Sequence, residues 1–175
     1  MDKIKIQKIS ITELATDAIV NAANEGLMAG SGVCGAIFEA AGYRELQAAC
    51  DEIGHCDTGS AVITPGFKLP AKYVIHAVGP IWRGGNMQEP KKLYGAYTRS
   101  LELAVENGCR SIAFPLISAG IYGYPVDKAW EVALEACRDY FEKFPEAEII
   151  VTFAVLDDNI LKQGQEIMER MFAGE

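Results

Sequence analysis

The sequence has no apolar run long enough to span a bilayer, and its first residues alternate Lys and Ile instead of joining a basic patch to an apolar segment. We therefore expect no membrane partner and no secretory leader. Basic residues are also scarce, since 16 Lys and Arg stand against 24 Asp and Glu and give a formal net charge of -8. Nucleic-acid backbones are held largely by clustered Lys and Arg, so this deficit argues against nucleic acid as a partner.

Paired cysteines and histidines are scarce as well. The 5 cysteines are odd in number and lack C-x-x-C spacing, which argues against a disulfide framework and favours a reducing, cytoplasmic location. His55 lies near Cys50 and Cys56 in sequence, but the irregular spacing and the missing fourth ligand argue against a zinc site. We expect neither a metal nor a cofactor. His76 lies within an apolar strand pattern and is expected to be a core residue with a satisfied ring.

Apolar segments bounded by Gly, Pro or Asp predict strands at residues 3–9, 17–20, 60–65, 73–78, 111–115 and 149–156. The first alternates polar and apolar residues, as is typical of a half-exposed strand near a sheet edge. Helical spacing predicts helices at residues 36–53 (broken at Gly42), 93–104 and 126–144. These patterns predict a three-layer α/β/α sandwich with a central mixed, mostly parallel sheet. With 50% hydrophobic residues, the chain is expected to form a single domain over residues 1–175.

Residues 21–42 carry a buried strand into a Gly-rich loop and then into a helix that begins near Val33. Glycines let the backbone approach a ligand, and the first amides of a helix are unpaired donors, so this junction predicts a phosphate site. Residues 30–35 also read as G-x-G-x-x-G, the dinucleotide fingerprint. In that fingerprint the first glycine follows the strand directly, and an acidic residue ends the next strand. Here residues 21–29 intervene before the first glycine, and Asp57 precedes the next strand instead of ending it. Both departures argue against a nicotinamide dinucleotide.

A second Gly-rich loop, residues 114–125, also leaves an apolar strand and enters a helix. Ligands of open α/β sheets bind outside the carboxyl ends of the strands, where both loops are expected. The pair therefore predicts a diphosphate held between the loops. The alternative is that residues 118–124 form a tight turn whose tyrosines cover the core.

Four segments resemble, in the right order, the successive motifs of the macro domains. They are Asn21-Ala-Ala-Asn24 with the following glycines, Thr58-Gly-Ser-Ala-Val-Ile-Thr64, residues 69–80, and Ile117-Ser-Ala-Gly-Ile-Tyr-Gly-Tyr-Pro125. The resemblance covers nearly the whole chain and is closest to the deacetylase-like branch. It implies the macro domain fold and, as partner, ADP-ribose or an ADP-ribosylated small molecule or protein.

The resemblance also implies the site residues. Residues 30–35 and 118–122 would clamp the diphosphate and distal ribose, Asn24 would bind the ribose hydroxyls, and Tyr122 would pack along the same sugar. An Asn offers a donor and an acceptor, which suits a vicinal diol, and the alternative is a turn residue bonded to its own backbone. The implied catalytic residues are Asn24, Gly32 and Tyr122. The implied ligand-binding residues are Ile9, Ser10, Ile11, Ala22, Asn24, Gly30, Ser31, Gly32, Val33, Cys34, Ser118, Ala119, Gly120, Ile121, Tyr122, Val155 and Leu156.

Cys34 departs from the family pattern. The hydrolytic branch usually has an Asp at this position, where it orients or activates the attacking water, although some viral macro domains that remove ADP-ribose also lack that carboxylate. Cys34 as a nucleophile is an alternative, but no His lies near it in sequence. A small buried residue is the favoured interpretation.

The adenine end departs too. Ser10 stands where the family usually has an Asp that accepts from the adenine amino group, and Leu156 stands where an aromatic often stacks on the base. Losing a carboxylate acceptor and a stacking face weakens binding by on the order of a kcal/mol or more each. Base contacts are then expected from Ile9, Ile11, Val155 and Leu156.

The leading hypothesis is a hydrolase of ADP-ribosyl esters, either O-acetyl-ADP-ribose or ADP-ribosylated carboxylates on proteins. Its nucleophile would be a water near the diphosphate, with the substrate phosphate assisting as base because Cys34 replaces the carboxylate. A second hypothesis is a non-catalytic module that binds ADP-ribose or a related nucleotide. A third is a pocket that Ser10 and Leu156 have retuned to another phosphorylated metabolite.

Overall fold

Residues 2–174, the part of the chain described by the computed structural model, fold around one six-stranded sheet. The strands are β1 (Ile4–Lys8), β2 (Ala18–Ala22), β3 (Ala61–Pro65), β4 (Tyr73–Ala77), β5 (Ser111–Phe114) and β6 (Ile150–Val155). All six predicted strands are confirmed. β2 runs two residues further than predicted, because Asn21 and Ala22 pair with His76 and Ala77 of β4. The terminal residues 1 and 175 of the predicted domain lie outside the described residues.

The sheet order is β1-β6-β5-β2-β4-β3. Every neighbouring pair is parallel except β3 with β4, which is antiparallel. The prediction of a mixed, mostly parallel sheet is therefore confirmed. β1 lies at one edge, and most of its side chains are exposed or half-buried, as the alternating pattern predicted.

Helices cover both faces of the sheet. They are α1 (Gly32–Ala41), α2 (Tyr43–Ile53), α3 (Glu89–Glu106), α4 (Val126–Lys143) and α5 (Asp158–Met171), with a short 3-10 helix at Ile11–Glu13. α1 and α2 pack on one face, and α3, α4 and α5 cover the other, so the three-layer prediction is confirmed. The predicted break at Gly42 is also present, with φ of +105°.

Helix α5 was not predicted from the sequence. Its N-cap is Asp157, whose side chain accepts hydrogen bonds from the N–H groups of Asn159 and Ile160 at 2.8 and 3.0 Å. The helix then packs closely on α4, because a Cβ at Gly164 would lie 2.5 Å from the Trp130 ring. An Asp cap followed by an amphipathic segment was the signal available in the sequence.

The strand connections open a crevice between β2 and β5. These strands are neighbours, but β2 continues into α1 on one face while β5 continues into α4 on the other. Their pairing is confined to Ala18 with Ile112 and Ile19 with Ala113, so the carboxyl ends are not paired to each other. Such a switch point is where ligands of open α/β sheets bind, and both Gly-rich loops begin there.

None of the helices formed by residues 2–174 combines the length and apolar character needed to cross a membrane. All 5 cysteines are buried free thiols. The cytoplasmic location remains an expectation drawn from cysteine usage.

Candidate ligand-binding site

A side-chain amide closes the turn that follows β2. Asn24 donates through Nδ2 to the Met28 carbonyl at 2.9 Å and accepts through Oδ1 from the Met28 N–H at 3.0 Å. Gln47 of α2 supports the same turn from behind, accepting from the Ala29 N–H at 2.9 Å and donating to the Leu27 carbonyl at 3.1 Å. Asn24 therefore is a turn residue bonded to the local backbone, which was the alternative to ribose binding. It also lines the cavity described below. The contribution of Gln47 was not predicted.

Close backbone packing holds Gly30 against the first turn of α1. A Cβ at Gly35 would lie 2.6 Å from the Gly30 carbonyl oxygen, so only a glycine fits there without a shift. Gly32 has φ of +60°, a conformation that favours glycine. The first intrahelical acceptor is the Ser31 carbonyl, which receives the Gly35 N–H at 3.3 Å. The first amides of α1 are therefore free to act as donors to an anion.

The second loop is folded tightly around Ser118. This residue has φ of +69°, which is uncommon outside glycine, and its carbonyl accepts from the Tyr124 N–H at 2.9 Å. Its Oγ is buried and has no hydrogen-bond partner among the described residues. A side chain at Gly79, just beyond β4, would collide with Ser118 Oγ and Ile117 Cγ2. The absence of a Cβ at Gly79 therefore makes room for this loop.

Tyr97 of α3 anchors the start of the second loop. Its phenol accepts from the Ile117 N–H at 2.9 Å and donates to the Pro115 carbonyl at 3.3 Å. The side chain is fully buried, and burial raises the pKa of Tyr97 well above its usual range, so the phenol remains protonated and able to donate. In the sequence Tyr97 was only part of an apolar helix stripe, so this contact was not predicted.

The two loops enclose a cavity of about 420 Å³, within the usual range for small-molecule sites. The predicted ligand-binding residues that line it are Ala22, Asn24, Gly30, Ser31, Gly32, Val33, Cys34, Ser118, Gly120, Ile121 and Tyr122. Ala23, Pro115 and Leu116 also line it and were not named, although all three lie within the motifs that located the loops. The loops therefore face one another as expected.

The residues predicted for the adenine end do not line this cavity. They lie at the carboxyl ends of β1 and β6, beyond β5, where the Ile9 N–H donates to the Val155 carbonyl at 3.2 Å. Ile11 is a core residue, whereas Leu156 is 66% exposed. Ser10 Oγ forms a hydrogen bond with the Thr12 hydroxyl at 2.9 Å. The strand order places these residues at the ends of β1 and β6, on the far side of β5 from β2, and their contacts with the base stay a prediction.

Ala119 was also predicted to bind ligand but does not line the cavity. Its side chain packs against the larger core, and its N–H donates to the Leu116 carbonyl at 3.4 Å. The backbone path of the loop turns this one side chain inward between Ser118 and Gly120, which do line the cavity.

Cys34 is a buried residue in the first turn of α1. Its side chain is 7% exposed, and its Sγ lies 3.9 Å from the Met28 carbonyl oxygen. The imidazole of His76 contacts Cys50 at 3.8 Å and not Cys34. A nucleophilic Cys needs an adjacent base, and no described imidazole supplies one here, so the geometry favours a small buried residue.

His76 is a buried core residue, as predicted. Asn21 Nδ2 donates to its Nδ1 at 3.1 Å, and its Nε2 donates to the Thr64 hydroxyl at 3.0 Å. That hydroxyl donates in turn to the Pro65 carbonyl at 3.1 Å, so both ring nitrogens are satisfied by a neutral ring. Burial lowers the pKa of His76 to about 4.

A second cavity, of about 450 Å³, adjoins the first. Asn24 and Tyr122 line both cavities, and the second lies between the segment after β2, the segment after β4 and the start of α3. Tyr122 is half-buried, and burial raises the pKa of its phenol, with Glu25 adding to the effect. The second cavity was not predicted, because it is formed by segments that are far apart in sequence.

Glu89, at the start of α3, organises one wall of this second cavity. Its buried carboxylate accepts from the N–H groups of Arg83, Gly85 and Met87 at 2.9, 2.9 and 2.6 Å. Burial alone would raise the pKa of Glu89, but these backbone donors outweigh it and lower the pKa to about 2. The carboxylate therefore stays ionised and holds residues 83–87 in place.

The residues weighed for zinc do not come together. Cys50 contacts His76, whereas His55 pairs with Asp57 at 2.8 Å on the surface. In the described part of the chain, the one group whose ligand atoms lie within 4.8 Å of each other is Glu25, His55 and Asp57, all exposed. This group was not predicted from the sequence.

The fold and the site define a doubly wound α/β domain whose ligand cleft lies between two Gly-rich loops at the switch point of the sheet. Comparison with known proteins agrees, because the family model of the macro domain matches residues 20–133. The chain belongs to the macro domain family.

Individual relatives support this assignment. Macro domain-containing protein CT2219 of Chlorobaculum tepidum is 55% identical over 132 residues, which cover 75% of this chain and 76% of the relative. The O-acetyl-ADP-ribose deacetylase of Cronobacter turicensis is 48% identical over 163 residues, covering 91% and 92%. The crystal structure of the Trypanosoma brucei macrodomain in complex with ADP-ribose superimposes with a TM-score of 0.87 at 38% identity, covering 95% of this chain and 69% of that one.

Proposed function

We propose that this protein binds ADP-ribose in the first cavity and hydrolyses ADP-ribosyl esters, with either O-acetyl-ADP-ribose or proteins ADP-ribosylated on carboxylates as substrates. One observation carries the proposal: the free amides of α1 and the second loop face the same cleft from opposite sides. Backbone amides bind a diphosphate without a basic groove, which suits a chain of net charge -8. The names of the Cronobacter relative and of the T. brucei complex support the same ligand.

Asn24 retains hydrogen-bonding capacity for the distal ribose. A carboxamide has two N–H donors and two acceptor lone pairs, and Met28 uses one of each. One donor and one lone pair remain for a vicinal diol. Since Met28 also holds the amide in a fixed orientation, ribose binding by Asn24 requires little further ordering. Tyr122 covers the same sugar from the second loop in this arrangement.

Hydrolysis adds one water to the ester, releasing ADP-ribose and a carboxylic acid that ionises at neutral pH. Asn24, Gly32 and Tyr122 position the ribose and diphosphate, and the substrate phosphate accepts the proton of the attacking water. Cys34 supplies no carboxylate for this step. A non-catalytic ADP-ribose reader is the second candidate function, and Cys34 is the observation that favours it.

Calorimetric titration with ADP-ribose, ADP and AMP tests the binding proposal. We expect the affinity to fall in that order, because each step removes a ligand group that the two loops contact. A preference for AMP over ADP-ribose would contradict the proposal.

Incubation with a Glu-linked ADP-ribosylated peptide, at protein concentrations that saturate binding, separates the two functions. Release of ADP-ribose supports the hydrolase, and binding without release supports the reader.

Cys34→Asp is expected to raise the rate of ester hydrolysis at least about tenfold, because a general base contributes roughly 10²–10⁴-fold when it is well placed. Cys34→Asn is the matched control, since it has the same shape without the charge. The measurement is the single-turnover rate on the Glu-linked peptide. Equal rates for the Asp and Asn variants would show that a carboxylate at this position does not assist the attack.

Tyr97→Phe is expected to reduce the free energy of unfolding by about 1–3 kcal/mol, because the Ile117 N–H and the Pro115 carbonyl lose their buried partner. We also expect weaker ADP-ribose binding, since the second loop loses its anchor. Tyr94→Phe is the control, because its phenol bonds to Asp139 away from the loop. Urea unfolding and calorimetry measure both effects. A Tyr97→Phe protein that loses stability but binds ADP-ribose normally would limit Tyr97 to a structural role.

A further inference from the structure

The second cavity has no assigned ligand, and its position relates it directly to the first. Asn24 and Tyr122 stand between the two cavities, and under the proposed function, on which this inference rests, they hold the distal ribose. A substituent on that ribose, directed away from the diphosphate, therefore enters the second cavity. In an ADP-ribosyl ester this substituent is the group that leaves on hydrolysis.

Both acidic side chains in this cavity are already supplied with donors. Glu89 accepts from three backbone N–H groups, and Glu25 accepts from the N–H and the hydroxyl of Thr58 at 3.1 and 3.0 Å. Arg83 and Lys92 also line the cavity, and neither forms an ion pair with any residue between 2 and 174. Both carboxylates keep their negative charge but already have hydrogen-bond donors, so Arg83 and Lys92 are the charged groups of the cavity that remain without a partner among residues 2–174.

The two cations are held on fixed backbone. The N–H of Arg83 donates to the Glu89 carboxylate. A Cβ at Gly59 would lie 3.3 Å from the Lys92 Cα, so α3 packs directly on the loop between α2 and β3. The Trp82 N–H donates to the Tyr122 carbonyl at 2.8 Å and ties this wall to the second loop. Arg83 and Lys92 are exposed residues of a wall that these bonds hold in place.

We propose that the second cavity is an acceptor subsite for an acidic peptide segment, in which Arg83 and Lys92 contact the carboxylates that flank the ADP-ribosylated side chain. The ester itself is neutral, so recognition before hydrolysis depends on the neighbouring Asp and Glu residues. After hydrolysis the released side chain is also a carboxylate. The subsite selects protein esters of acidic sequence over O-acetyl-ADP-ribose, whose acetyl group has no flanking carboxylate for the two cations to contact.

The test compares free ADP-ribose with two ADP-ribosylated peptides that carry a linkage resistant to hydrolysis, one flanked by Asp and Glu and one flanked by Ser. We expect the acidic conjugate to bind the wild-type protein about tenfold more tightly than free ADP-ribose, and the Ser conjugate to gain less than about threefold. The advantage of the acidic conjugate should shrink at high salt, because exposed charges are screened.

Charge reversal identifies the residues responsible. Arg83→Glu and Lys92→Glu are expected to abolish the gain for the acidic conjugate while the affinity for free ADP-ribose changes less than about twofold. Lys91→Glu is the matched control, since it makes the same charge change on the same helix outside the cavity. The subsite would be overturned if Lys91→Glu and Lys92→Glu lost the same affinity for the acidic conjugate. It would also be overturned if the wild-type protein bound the acidic and Ser conjugates equally well. Failure of free ADP-ribose to bind would overturn the proposed function, and the subsite with it.

Discussion

Replacing Gly35 by Val is expected to weaken ADP-ribose binding about a hundredfold, a change of about 2.7 kcal/mol. A Cβ at Gly35 would lie 2.6 Å from the Gly30 carbonyl oxygen. This oxygen belongs to the backbone, so no change of rotamer relieves the overlap and either the loop or α1 must move. A shift of either one misaligns the α1 amides with the diphosphate, and hydrogen bonds weaken steeply with distance and angle.

Gly108→Ala is the control for general destabilisation. Gly108 has φ of +73° with no atom near its Cβ position, so alanine strains the backbone after α3 by roughly 1–2 kcal/mol without touching either loop. Calorimetry gives the affinity of each variant, and urea unfolding gives its stability. If Gly35→Val bound ADP-ribose as tightly as the wild type, the first loop would not be the phosphate site. If Gly108→Ala lost as much affinity, the effect would be global.

Acidification from pH 6.5 to pH 4 is expected to remove about 3 kcal/mol of stability through His76 alone. The pKa of this buried ring is about 4, against 6.5 for an ordinary histidine. Because the unfolded chain takes up the proton first, the contribution of the neutral ring is complete above pH 6.5 and is lost as the pH falls towards 4. The expected loss is about 2 kcal/mol at pH 5.

Urea unfolding followed by tryptophan fluorescence, at several pH values between 7 and 5, measures this loss. His55→Gln leaves His76 as the sole histidine, so its imidazole signals in the NMR spectrum report its protonation without overlap. We expect the ring to stay neutral in the folded protein at pH 5. A ring that titrates near 6.5 in the folded state, or a stability that is constant over this range, would contradict the prediction.

The strands and the two loops were predictable because their signals are local. A strand buried on both faces reads as an apolar run, and a loop that must approach a phosphate reads as glycine, so neither requires knowledge of distant residues. Residues 30–35 and 118–122 were located in this way. α5 was not predicted, although its Asp157 cap is a local signal of the same kind.

The supports of the site were not predictable in the same way. Gln47 and Tyr97 look like ordinary helix residues in sequence, and only packing brings them to the Leu27 and Ile117 backbones. The adenine-end residues were assigned from their motif, and only the strand order shows that β1 and β6 carry them to the far side of β5 from β2. Contacts of this kind depend on strand order, which is not encoded in local spacing.

The sequence by itself determined the layered α/β class and the positions of the two Gly-rich loops, because periodicity and glycine placement act over a few neighbouring residues. Tertiary structure decided that β2 and β5 are neighbours with helices on opposite faces, that Cys34 has no imidazole beside it, and that Arg83 and Lys92 share a second cavity. Each of these facts joins segments that are distant in the chain. The physical reason is that such contacts form only when the sheet assembles and buries both of its faces.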